Sequence, residues 1–184
     1  QVHRGPDGLG VWTAPGVGLG HRRLSIIDVA GSPQPMHSAD GRLSIVFNGE
    51  IYNYQELRAD LIKRGHSFAT SGDTEVILNG YREWGDAVLD RLNGMFAIAI
   101  HDAAKHQLFL ARDRFGVKPL HYVTLADGSL AFASELKGLL ANPAVRRDPD
   151  IRAVEDYMAL GYVPDDACLV ANVQKLAAGH CLLL

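Results

Sequence analysis

The 184-residue chain is 47% apolar and 21% charged, which supplies a real core and argues against disorder. Lys and Arg number 18 against 21 Asp and Glu, a net charge of −3, so nothing electrostatic favours nucleic acid or an anionic membrane surface. The longest apolar run, Met95 to Ile100, is far short of the roughly 20 residues that span a bilayer, and two cysteines, Cys168 and Cys181, make no disulfide framework.

Residues 3–20 are rich in Gly and Pro and read as loop with short extended pieces. Leu24 to Asp28 reads as a short strand and Gly31 to Pro35 as a loop. Leu43 to Phe47 alternates like a strand, and Asn48-Gly49 carries a strong turn signal at its end. Asn53 and Glu56 resemble a capping box for a helix with Leu57, Leu61 and Ile62 on one face and Gly65 as its stop. A second helix begins near Asp73, with Val76, Ile77, Tyr81 and Trp84 on one stripe before Gly85, and Asp86 to Leu92 suggests a short third.

From Met95 the pattern changes to strands at Met95–His101, Gln107–Arg112, Leu120–Leu125 and Ser129–Ala133, joined by linkers short enough for antiparallel hairpins. In the first of them Phe96, Ile98 and Ile100 face one way and Ala97 and Ala99 the other, which suits a sheet covered on both sides. Glu135–Ala141 reads as a helix. Asp148-Pro149 reads as the cap and first turn of another, with Val154, Tyr157 and Met158 as its apolar stripe, and a last strand runs from His180 to the end. Clustered strands without βαβ alternation predict an α+β fold with antiparallel sheets in one domain over 1–184. Gln1 at one end and the apolar Leu182–Leu184 at the other read as cuts through a longer polypeptide.

Generic chemistry signals are weak. There is no phosphate loop, no G-x-S-x-G elbow and no zinc spacing among the eight histidines, and Gly16-Val-Gly-Leu-Gly20 is not followed by a helical pattern. Neither cysteine sits at a helix start or beside a cation that would lower its pKa.

Seven words in order are far more specific: His3-Arg-Gly-Pro-Asp7, His21-Arg-Arg-Leu-Ser-Ile-Ile-Asp28, Asn48-Gly-Glu-Ile-Tyr-Asn53, Ser71-Gly-Asp-Thr-Glu75, Leu92-Asn-Gly-Met-Phe96, Arg112-Asp-Arg-Phe-Gly-Val-Lys-Pro119 and Ala133-Ser-Glu-Leu-Lys137. Together they resemble the class II glutamine amidotransferase domain of glutamine-hydrolysing asparagine synthetases, over nearly the whole chain. The resemblance implies an N-terminal-nucleophile hydrolase, a four-layer αββα sandwich with antiparallel sheets.

It also implies a chemistry. The nucleophile would be the thiol of an N-terminal cysteine whose own α-amino group, with a pKa near ~8, serves as base. Asn48 and Gly49 match the oxyanion-hole pair, although Asn-Gly is equally a turn. Arg23 matches the clamp on the glutamine α-carboxylate, for which a rigid fork suits better than Lys; a surface ion pair is the alternative. Asp73 and Glu50 match the acidic residues around the substrate ammonium, with Asp73 alternatively a helix cap. Leu24 and Ile27 match pocket-lining positions that act through backbone groups, and Arg4 matches a residue held near the thiol, with a buried structural arginine as the alternative. The 112–119 word carries no chemistry and is read as structural, with Arg112, Asp113 and Arg114 pairing internally.

The family's cysteine has no counterpart before Arg4, and no S-G-G-x-D-S pyrophosphate loop occurs. The resemblance therefore implies a chain that is inactive alone, truncated at its N-terminus and ending at the junction to an ATP-dependent synthetase domain. The implied partners are L-glutamine, that synthetase domain of the same polypeptide and a second copy in a homodimer, with neither nucleic acid nor membrane. No cofactor or metal is expected in this domain, ATP and Mg²⁺ belong to the synthetase half, and the expected location is the cytoplasm. Three other readings are a related amidotransferase acting on another carboxyl acceptor, a non-catalytic glutamine-binding module, and a structural or interaction domain that uses the fold alone.

Overall fold

A computed structural model of the chain describes residues 1–29 and 31–184. Its elements are β1 (Gly8–Ala14), β2 (Val17–Arg23), β3 (Met36–His37), β4 (Leu43–Ile51), α1 (Tyr54–Lys63), α2 (Asp73–Trp84), β5 (Gly94–Asp102), β6 (Gln107–Arg112), β7 (His121–Thr124), β8 (Leu130–Ala133), α3 (Leu136–Leu140), α4 (Ile151–Leu160), β9 (Gln174–Lys175) and β10 (Cys181–Leu183). A five-stranded antiparallel sheet runs in the order β10-β6-β5-β4-β3. One of its faces packs Ile45, Phe47, Ile51, Phe96, Ile98 and Ile100 against Leu57 and Leu61 of α1 and Val76, Ile77 and Tyr81 of α2. The other face, with Val46, Ala97, Ala99 and Leu110, meets a second β layer made of the β1–β2 hairpin and the three-stranded sheet β8-β7-β9. Behind that sheet, Val123 packs against Leu139 of α3 and against Val145, Cys168, Val170 and Val173. The order of layers is α, β, β, α, as the family resemblance implies, and the sheet of β5 is covered on both sides as its alternation predicts.

Several local expectations are corrected. Residues 8–23 form a regular hairpin, with Leu19 buried and Gly8 opposite Arg23, and Leu24 to Asp28 is irregular. Asn48-Gly49 is no turn: it lies within β4, where Asn48 pairs with Ala97 and Gly49 with Phe96. The glycine is required by close approach, because a Cβ at position 49 would overlap the Met95 carbonyl oxygen. Asn53 occupies the cap of α1, where its carbonyl accepts from Leu57 N–H but its side chain makes no cap bond. Its amide instead ties Arg91 O and Asn93 N–H, so no capping box forms with Glu56, and Ile62 is exposed. α4 is capped by Asp150, which accepts from Arg152 N–H, and not by Asp148; of its residues only Ala153 is buried, while Tyr157 and Met158 face solvent.

The 112–119 word proves structural in a different way from internal pairing. Asp113 is fully buried and accepts from four backbone N–H groups, those of Phe96, Phe115, Val117 and Lys118. Arg112 reaches Asp165 and the carbonyls of Gly116, Lys118 and Leu176. Burial opposes the charge on Asp113, but the backbone donors outweigh it and hold its carboxyl below the ordinary value. A depressed carboxyl stabilises the fold above its unfolded pKa, and that contribution is lost as pH falls through the folded pKa. Asp113→Asn should therefore lower stability at pH 7 by about 2–4 kcal/mol, and the gap between variant and parent in thermal melts should narrow towards pH 3.

Candidate functional site

Between the β1–β2 hairpin and β8 the second β layer is open, and the floor of the opening is the small-residue face of β4 and β5. The resulting cleft has a volume of about 830 Å³ and is lined by Arg4, Arg23, Leu24, Ile27, Asn48, Gly49, Glu50 and Asp73, among others. Folding thus brings the eight residues that the resemblance matched to substrate binding and catalysis to one cleft, of a size typical for small-molecule sites. The cause is the period of the strand. Odd positions of β4 enter the apolar layer and even ones, Val46, Asn48 and Glu50, face the cleft.

Backbone geometry gives Gly49 its chemistry. Phe96 N–H donates to Asp113 Oδ2 and its carbonyl accepts from Asp113 N–H, so both groups point towards β6. Its β4 partner Gly49 then sits in a non-hydrogen-bonded pair with its N–H turned away from β5. The neighbouring N–H groups on that edge follow the same direction: Phe47 donates to Gln34 Oε1 at 2.6 Å and Ile51 to Asp73 Oδ2 at 3.1 Å. Gly49 N–H has no partner among the described residues. Beside it, Asn48 Nδ2 makes one long contact, 3.5 Å, to Ser134 Oγ, leaving its second hydrogen for the cleft.

Arg23 turns its fork onto the loop that follows it, donating to the carbonyls of Ile27, Asp28 and Val29 at 3.0, 2.8 and 3.0 Å; its Nε–H has no partner among the described residues. The Ile27 carbonyl is thereby engaged, and Leu24 is exposed at the rim. Arg4 is an exposed rim residue paired with Glu135 at 3.2 Å, in a cluster with His3 and Lys137.

Asp73 is the first residue of α2, whose cap is Gly72, so it is not itself the cap. It is buried, and no cation among the described residues forms an ion pair with it or with Glu50. Desolvation pushes its carboxyl above the ordinary value, the charge of Glu50 adds to the push, and backbone N–H groups of Ile51, Asp73 and Thr74 oppose it.

Sequence reasoning passed over Gln34, His21 and Ser134. Gln34 read as loop between two prolines, and nothing in its neighbourhood signals a partner on β4. His21 Nε2 donates to Phe47 O at 3.0 Å, and burial lowers its pKa, which favours the neutral ring. Cys168 is buried behind β7 and Cys181 is exposed on β10; neither lines the cleft. Among the described residues, no three His, Cys, Asp or Glu side chains are grouped as metal ligands, and no helix is long and apolar enough to cross a membrane.

A carboxyl raised by folding lowers stability above its folded pKa and ceases to do so as pH falls. Asp73→Asn should therefore melt at pH 7 at the same temperature as the parent or higher, with the difference vanishing near pH 4. A variant markedly less stable at pH 7 would contradict this assignment.

The family model for a glutamine amidotransferase domain matches residues 1–184. Asparagine synthetase [glutamine-hydrolyzing] 1 of Bacillus subtilis is 45% identical over 180 residues, covering 97% of this chain and 28% of that protein. A putative asparagine synthetase [glutamine-hydrolyzing] of Mycobacterium tuberculosis is 49% identical over 190 residues, covering 96% of this chain and 29% of the relative. The chain thus spans less than a third of the length of these relatives. Among solved structures, the glutamine phosphoribosylpyrophosphate amidotransferase of B. subtilis superposes with a TM-score of 0.55 at 25% identity, over 66% of this chain and 28% of that one. With this match over the whole chain, the α+β layers and the cleft geometry, the chain belongs to the glutamine amidotransferase domain family.

Proposed function

We propose that the chain is the glutaminase portion of a glutamine-hydrolysing asparagine synthetase. The observation that carries the reading is the pair of adjacent donors on β4, Asn48 Nδ2 and Gly49 N–H, open to a cleft that also holds Arg23, Glu50 and Asp73. A side-chain amide placed over these donors is polarised for attack, and they meet the oxyanion of the tetrahedral intermediate as charge develops on it. Arg23, through its unpartnered Nε–H, takes the α-carboxylate. The unpaired carboxylates of Asp73 and Glu50 take the α-ammonium, whose positive charge offsets the desolvation of Asp73. Arg4 stands at the cleft rim, where the family resemblance places it near the thiol.

The nucleophile in this reading is a cysteine at the start of the mature polypeptide, outside these 184 residues. Its thiolate attacks the amide carbon, ammonia leaves with the proton taken up by the α-amino group, and water then cleaves the thioester to glutamate. Support comes from the cleft itself, which is open between two β pieces with Gln1 along its wall. The ammonia would pass to a synthetase portion in the same polypeptide, where ATP and Mg²⁺ activate aspartate. Homodimeric assembly and a cytoplasmic location belong to the same reading. A non-catalytic glutamine-binding module, in which Arg23 and Asp73 hold glutamine without turnover, is the second reading.

The intact mass and N-terminal residue of the natural protein, with a glutaminase assay, separate the two. A longer protein beginning with Cys and releasing ammonia from glutamine supports the enzyme; a species without glutaminase activity that binds glutamine supports the module. In the active protein, Asn48→Ala should lower kcat about 100–1,000-fold. Arg23→Ala should weaken glutamine binding, read by calorimetry, by about 30-fold or more; unchanged affinity would refute the clamp.

A further inference from the structure

Three successive outward N–H groups on β4 have different fates. Those of Phe47 and Ile51 are held by Gln34 Oε1 and Asp73 Oδ2, and that of Gly49, between them, is open. Both acceptors lead to the first turn of α2. Asp73 is its first residue, and Gln34 Nε2 reaches the hydroxyl of the second, Thr74, at 3.4 Å. The start of α2 therefore grips β4 two residues before Gly49 and two residues after it.

The orientation of the Gln34 amide follows from its partners. A backbone N–H needs an acceptor, so Oε1 faces Phe47 and Nε2 is left to donate to Thr74. Its main chain is confined by β1, where a Cβ at Gly10 would overlap the Gln34 carbonyl oxygen. The Phe47 carbonyl is held in turn by His21. Phe47 is thus fixed at both its backbone groups, and the next two residues carry the cleft donors Asn48 and Gly49. A tilt of the strand at Phe47 swings both donors, and misplacement of reacting groups by about 1 Å costs about 100-fold in rate.

We propose that Gln34 is a positioning residue for glutamine hydrolysis: by holding Phe47 N–H it sets the direction in which Asn48 and Gly49 present their hydrogens. The inference rests on the glutaminase reading above. Gln34 borders the cleft, but both ends of its amide are engaged by protein groups, so it acts through the strand and not on the substrate.

The test uses the full-length protein with Gln34→Met, which fills the same space without an acceptor, and Gln34→Glu, which keeps one. Gln34→Met should lower glutaminase kcat about 10–100-fold with KM for glutamine within about 3-fold, and hydrogen exchange over residues 45–50 should quicken. Gln34→Glu should restore most of kcat. A milder route is Thr74→Val, which frees the far end of the amide and should lower kcat about 2–5-fold at constant KM. Full kcat in Gln34→Met, or equal loss in the Met and Glu variants, would overturn the proposal while leaving the glutaminase reading intact. No glutaminase activity in the unsubstituted protein would overturn that reading, and the role of Gln34 with it.

Discussion

The pairing of β4 with β5 is the constraint from which the cleft follows. Its register opposes Ile45 to Ile100, Phe47 to Ile98 and Gly49 to Phe96, and all but the glycine bury large side chains under α1 and α2. A slip of one residue would carry Phe47 to the cleft face and Asn48 into the apolar layer, so burial itself fixes where the amide points. Each fully buried Ile or Phe contributes roughly 1.5–3 kcal/mol, and together they outweigh any local preference of the Asn-Gly pair for a turn. The site is held in place by the core on the far side of the same strand.

Asp113 extends this control by one element. By taking both backbone groups of Phe96 it decides which pairs of the β4–β5 ladder exchange hydrogen bonds and which do not. The turn of the Gly49 N–H away from β5 is therefore supported two strands away, by a residue that never approaches the cleft, while Gln34 holds the strand at Phe47. The word at 112–119, read as structural from the sequence, contributes to sheet geometry.

The cleft carries an electrostatic tension that the core does not. Asp73 is buried at the start of α2, where the helix dipole favours negative charge, yet desolvation and Glu50 push its carboxyl upward. Asp113, equally buried, is held down because four backbone donors face it. One carboxylate is held down by four backbone donors, and the other, with three backbone donors and Glu50 nearby, is pushed up by its burial.

The sequence by itself determined the α+β class, the two covered faces of β5, the stripe of α2 and the identity of the cleft residues, because these rest on side-chain period and on the seven specific words. It misjudged whatever depends on distant partners. Residues 3–20 read as loop with short extended pieces because their glycines hide a hairpin whose inward residues are covered only when the second layer closes over β4 and β5. Asn53 and Asp148 read as caps because local pattern cannot reveal that Asn53 bonds to Arg91 and Asn93, or that Asp150 takes the cap of α4. Asn48-Gly49 read as a turn because the Met95 carbonyl that demands a glycine lies on another strand. The choice of Gln34 as the partner of Phe47, and with it the open Gly49 N–H, was decided only by tertiary structure. Hydrogen-bond direction depends on which strands lie on either side, and a single chain of letters does not contain that neighbourhood until it folds.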